Sequence, residues 1–109
     1  MKVYISGMKM KVYISGMVTG LPAFIYRKQF EMAELKLRLS GYNVYNPVKY
    51  DAKGKEKDFT WAQFMKKDIK ALCDCDAIYL LKTWRMSKGA RLEYDIAKAL
   101  GMEILGGAK

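Results

Sequence analysis

Histidine is absent from this chain, and cysteine and proline occur only twice each among its 109 residues. Cys73 and Cys75 stand one residue apart with no histidine to join them, so zinc ligation is not expected and two free thiols in a reducing, cytoplasmic setting are. No metal or other cofactor is called for. With two prolines and 51% hydrophobic residues, the composition excludes a disordered chain. No apolar run reaches the roughly 18 residues of a membrane span, and no signal-peptide pattern opens the chain. A chain of this length holds one hydrophobic core and hence one domain.

Charge is abundant and mostly of one sign, with a net value of +9. A basic surface attracts nucleic acid, phosphorylated metabolites or acidic membranes without choosing among them. Much of it falls in Lys49 to Lys57 and in Lys66, Lys67 and Lys70, where a solvated loop and an outer helix face account for it. No nucleic-acid-binding motif accompanies it, so nucleic acid and membrane rank below a small-molecule partner.

The opening is peculiar. Residues 1–8 read MKVYISGM, and residues 10–17 repeat them after Lys9. One recurrence is not a repeat architecture. The second copy runs on into Val18-Thr19-Gly20-Leu21-Pro22, so it is taken as the first strand of a single domain spanning 10–109. Residues 1–9 are taken as a duplicated start foreign to that domain. Removing Lys2 and Lys9 lowers the charge by two and leaves the chain basic.

From there strand and helix alternate. Lys11 to Ser15 is a β-branched and aromatic run ending at Gly16. Pro22 suits the first turn of a helix over Ala23 to Leu39, with Phe30, Ala33 and Leu37 on one face, and Gly41 stops it. Asn43 to Tyr45 reads as a second strand closed by Asn46-Pro47. After a charged loop comes a helix from Thr60, a suitable N-cap, to Cys73. Ala77 to Leu81 forms the third strand, a helix then runs to about Leu100, and Met102 to Leu105 forms the fourth. This order predicts an α/β fold: a flavodoxin- or Rossmann-like three-layer sandwich whose parallel sheet has the order 2-1-3-4 and helices on both faces.

Such a sheet opens a ligand crevice beyond the carboxyl ends of strands one and three, where the connections diverge. The loops that reach it carry Gly16 and Gly20 after strand one, and Trp84, Arg85, Ser87, Lys88 and Gly89 after strand three. The glycines allow close approach of backbone, and the second loop leads into a helix N-terminus suited to an anion. Gly16 and Gly20 alone do not make the G-x-G-x-x-G pattern of a dinucleotide site.

Two acids face inward. Glu93 shares a helical stripe with Leu92, Ile96, Ala97 and Leu100, and Asp68 lies among Trp61, Met65 and Leu72. A carboxylate on a core-facing stripe loses hydration, which is tolerated where it has partners or a chemical task.

Taken together, Tyr13-Ile14-Ser15-Gly16 with Thr19-Gly20, Asp68-Ile69, Cys75-Asp76-Ala77 and Ser87-x-Gly-x-x-x-Glu93 resemble the nucleoside 2-deoxyribosyltransferase superfamily. That superfamily includes a group of short phage and bacterial proteins and the 2'-deoxynucleoside 5'-monophosphate N-glycosidase. The likeness runs from about Met10 to Ile104. It implies a catalytic set of Glu93, Asp68 and Tyr13. Glu93 would attack the anomeric carbon of a deoxyribosyl group to form a glycosyl-enzyme, Tyr13 would hold Glu93 by its hydroxyl, and Asp68 would protonate the leaving base or contact it. It also implies a substrate-binding set of Ser15, Gly16, Thr19, Gly20, Trp84, Arg85, Ser87 and Gly89. Ser87 stands where the glycosidase has a phosphate-binding serine, with Arg85 or Lys88 as added cations, and Trp84 would stack on the base. The implied substrate is a deoxynucleotide or deoxynucleoside, and the implied assembly a homodimer.

Plainer readings stand beside these. Tyr13 is equally a core aromatic, Asp76 a strand-start residue, Trp84 a plug between loop and sheet, and Ser87 an N-cap. A nucleotide-sensing module without turnover would keep the same crevice.

Overall fold

The first strand, β1 (Lys11–Ser15), is buried over Val12 to Ser15 and lies inside the sheet, paired on both sides. In this computed structural model, residues 9–50 and 58–107 are described. Residues 1–8, the first copy of the repeated octapeptide, and most of the charged loop before Trp61 lie outside that range. Around β1 the elements run α1 (Ala23–Leu39), β2 (Asn43–Tyr45), α2 (Trp61–Cys73), β3 (Ala77–Leu80), α3 (Lys88–Ala99) and β4 (Glu103–Gly106). The four strands are parallel in the order β2-β1-β3-β4, as the alternation of elements implied.

Period-two alternation along the central strands divides the core between the two faces of the sheet. Val12, Ile14 and Ala77 pack with Phe30, Ala33 and Leu37 of α1. Tyr13, Ile78 and Leu80 pack with Leu72 of α2 and Ala90 and Ala97 of α3. The division follows from handedness. Right-handed crossovers put α1 on one face as the chain steps from β1 out to β2, and α2 and α3 on the other as it steps back to β3 and on to β4. Burying a side chain such as Phe30 or Leu72 stabilises the fold by about 1.5–3 kcal/mol.

Local chemistry sets the ends of these elements. Pro22 stands immediately before α1 with φ −59°, and Thr60 caps α2. The Thr60 side chain accepts from the Gln63 N–H, and the Gln63 side chain accepts from the Thr60 N–H, a reciprocal capping box. Asp76 is accounted for at the start of the sheet. Its side chain accepts from the Lys11 N–H at 2.9 Å, and its own N–H donates to the Lys11 carbonyl at 2.8 Å.

Two details differ from the sequence reading. The inward face of α3 is Ala90, Glu93 and Ala97, whereas Leu92 is 38% and Leu100 60% exposed. The small alanines let α3 approach the sheet closely, and that rotation turns both leucines outward. Short 3-10 turns at Pro47–Tyr50 and Trp84–Met86 also occupy stretches read only as loops. Among the described residues no helix is long and apolar enough to cross a membrane.

Candidate active site

Glu93 reaches the carboxyl end of β1 because of how α3 begins. The Ser87 side chain accepts from the Ala90 N–H at 3.1 Å and sets the helix start at Lys88. Glu93 then falls on the buried face between Ala90 and Ala97, and it is 5% exposed. Tyr13 and Ser15, two residues apart on β1, project to the same side of the sheet and meet it. The Tyr13 hydroxyl donates to Oε2 at 2.7 Å, and the Ser15 hydroxyl donates to Oε1 at 2.7 Å. Burial pushes the Tyr13 hydroxyl well above its ordinary pKa, and the Glu93 carboxylate beside it pushes it further. Tyr13 therefore remains protonated and donates.

These groups line one wall of a cavity of about 250 Å³. Asp68 enters from α2, on the same helical face as Trp61, Phe64 and Met65, which also line it. Tyr26 and Phe30 of α1 and Pro47 and Val48 of the first 3-10 turn close the remaining sides. The cavity lies at the carboxyl end of β1, between the segments that follow β1 and β2 and the start of α3.

Of the residues anticipated from sequence, Tyr13, Ser15, Gly16, Asp68, Ser87, Gly89 and Glu93 line this cavity together with Thr19. Ser15 holds Glu93 as well as facing the cavity. Gly16 and Gly89 are small for packing reasons: a Cβ at Gly16 would stand 2.6 Å from Leu81 Cδ1, and one at Gly89 would stand 3.0 Å from Met65 Sδ. Gly20 does not line the cavity; its φ of +95° turns the loop that carries Thr19. Trp84 and Arg85 are not brought there either. Trp84 is buried against Tyr94, with the ring centroids 4.7 Å apart, and the Arg85 guanidinium lies 4.9 Å from the Trp84 ring. Lys88 likewise rests on an aromatic ring, that of Trp61.

A family profile described as "Domain of unknown function (DUF4406)" matches residues 10–106. The chain belongs to the DUF4406 family. No curated protein matches it. The DUF4406 match spans every described strand and helix and every residue of the cavity wall.

Sequence reasoning missed the apolar half of this DUF4406 cavity. Trp61, Phe64, Met65 and Asp68 follow the i, i+3, i+4, i+7 spacing of one helix face, which is a usable signal. Tyr26, Pro47 and Val48 carry none, because their arrival depends on where α1 and the 3-10 turn come to rest. A column of rings, Tyr13 on Tyr45 at 5.7 Å and Tyr45 on Tyr50 at 5.1 Å, runs from the site toward the surface at Tyr50. Glu34 accepts from Arg38 at 2.7 Å, Lys49 at 3.0 Å and Asn46 at 3.2 Å. Asn46 in turn accepts from the Val48 N–H, so this network holds the cavity's Pro47–Val48 side. Both thiols are free, Cys73 exposed and Cys75 buried, and burial pushes Cys75 up to about 11.

Proposed function

We propose that this protein cleaves the N-glycosidic bond of 2'-deoxynucleoside 5'-monophosphates, or transfers the deoxyribosyl group between bases, through a covalent intermediate on Glu93. The reading is that of a nucleoside 2-deoxyribosyltransferase-like enzyme. The observation that carries it is the Glu93 carboxylate, held at both oxygens by Tyr13 and Ser15 in a cavity that also presents Asp68. A carboxylate fixed by two hydroxyl donors is oriented before substrate arrives, which removes orientational freedom from the reacting pair.

In this mechanism a Glu93 oxygen attacks the anomeric carbon as the bond to the base nitrogen breaks. The bonding electrons leave on the base, which takes a proton from the acid form of Asp68. Water, or a second base, then attacks the same carbon from the vacated side, giving its proton to Asp68 and releasing Glu93. Two displacements retain the configuration. Hydrolysis is preferred over transfer because Ser87, at the α3 N-terminus, faces the cavity and suits a 5'-phosphate.

One observation favours a second reading. Both Glu93 oxygens accept hydrogen bonds from the protein itself, an arrangement equally suited to a locked structural carboxylate in a nucleotide-sensing module. The deciding experiment measures free base released from each common deoxynucleoside 5'-monophosphate, with and without a second base, for wild type and Glu93→Ala. Base release that disappears in the variant supports the glycosyl mechanism, and a new nucleoside product identifies transfer. Monophosphate binding without release from any substrate favours the sensing module.

A further inference from the structure

The chain has two tryptophans, and the fold gives them opposite surroundings. Trp84 is sealed in the core, with its Nε1 buried and lacking a hydrogen-bond partner. Trp61 opens α2, lines the cavity and is 42% exposed. The Lys88 ammonium lies 4.1 Å from the centroid of the Trp61 ring. Trp61 lines the cavity and Lys88 does not, so the ring offers surface to the cavity beside the part that the ammonium covers.

The location of the ring is set from two directions. A Cβ at Gly89 would stand 3.8 Å from Trp61 Nε1, so the indole edge rests on the first turn of α3, one helical turn before Glu93. On its own helix Trp61 lies two turns before Asp68 and on the same face. An aromatic plane is thus fixed at the cavity mouth, spanning the helices that carry the two acids. An exposed indole face is a large apolar surface in water, and a planar heterocycle stacked on it would remove that surface from solvent.

We propose that Trp61 is the platform on which the planar base of the ligand stacks, and that Lys88 is a positioning residue that holds the indole in place. The identification of the planar group as a nucleobase rests on the proposed glycosyl chemistry; the platform itself does not. Every base has a π face, so the stacking confers affinity with little choice among bases. This removes Trp84 from that role and commits the cation at position 88 to a ring.

The test uses the two tryptophans separately. In a Trp84→Phe variant Trp61 is the sole indole, and its fluorescence is followed on titration with adenine, thymine and 2-deoxyribose 5-phosphate. Saturable quenching by the two bases and none by the sugar phosphate is expected. In the otherwise unaltered chain, calorimetry should show adenine binding weakened on the order of tenfold by Trp61→Leu, largely restored by Trp61→Phe, and weakened less by Lys88→Met. Failure of both bases to quench Trp61, or full adenine affinity in Trp61→Leu, overturns the platform. The enzymatic reading fails in a different way: adenine would stack on Trp61 while no deoxynucleotide released its base. Conversely, base release with an unchanged KM in Trp61→Leu would leave the reaction standing and remove the platform.

Discussion

Tyr13 and Glu93 are 80 residues apart in the chain and 2.7 Å apart in the fold, hydroxyl to carboxylate, on the wall of a cavity that Asp68 also lines. The contact joins the central strand to the last helix, and Ser15 makes a second such contact beside it. Removing one hydroxyl takes away one of the donors that orient the carboxylate.

Under the proposed glycosyl mechanism, Tyr13→Phe is expected to lower kcat on the order of a hundredfold, the usual effect of misplacing a reacting group by about 1 Å. The ring and its stacking on Tyr45 are retained, so far-ultraviolet circular dichroism should be unchanged. The check is steady-state base release beside a thermal melt. Wild-type kcat in the variant would show that Tyr13 has no part in orienting Glu93.

Under the proposed glycosyl mechanism, Asp68→Asn is expected to lower kcat by roughly 10²–10⁴ while changing substrate affinity much less, because the amide keeps the shape of the acid and cannot supply its proton. Single-turnover kinetics with independent calorimetric binding separate the two effects. A loss confined to binding would make Asp68 a contact residue.

Glu34 links stability to pH. Burial alone would raise its pKa, but hydrogen bonds from Arg38, Lys49 and Asn46 outweigh that and hold it below the ordinary carboxylate value. A depressed folded-state pKa contributes stability that is fully present above the unfolded value, about 4.3, and is lost as pH falls through the folded one. Glu34→Gln should therefore cost about 1–3 kcal/mol near neutrality. Denaturant melts of the two proteins should converge as the pH is taken below about 4. A gap that stays constant down to low pH would contradict this assignment.

Gly16→Ala tests the packing of the loop after β1. The added methyl would meet Leu81 at Cδ1, Cγ and Cβ, between 2.6 and 2.9 Å. Part of that contact is with the stem of the side chain, which cannot swing clear, so a loss of about 1–3 kcal/mol is expected. For a domain of this size each kcal/mol lowers Tm by about 4–8 °C. An unchanged Tm would mean that the loop shifts freely, and Ser15 with it.

How far the chain announces this architecture can be judged from single positions. Alternation in Lys11–Ser15, the Pro22 and Thr60 helix starts and the spacing of Phe30, Ala33 and Leu37 are local signals. They are sufficient for the elements, their order and the sheet topology, because handedness and short connections leave few alternatives. The inward setting of Asp68 beside Trp61 and Met65 was also legible from the helical period, whereas Glu93 was set inward on a stripe whose Leu92 and Leu100 the fold turns outward. Which residues share the cavity was not legible. Trp84 and Trp61 are both aromatic residues near a helix start, and nothing local says that one is sealed in the core while the other stands at the mouth. Leu92 and Leu100 satisfy the helical period beside Glu93, yet Ala90 and Ala97 bring α3 down on a different line. Periodicity specifies direction around an element's own axis. Distances between elements, and hence the meeting of Tyr13, Ser15, Asp68 and Glu93 around one cavity, follow from how side-chain volumes settle when all the faces are packed together.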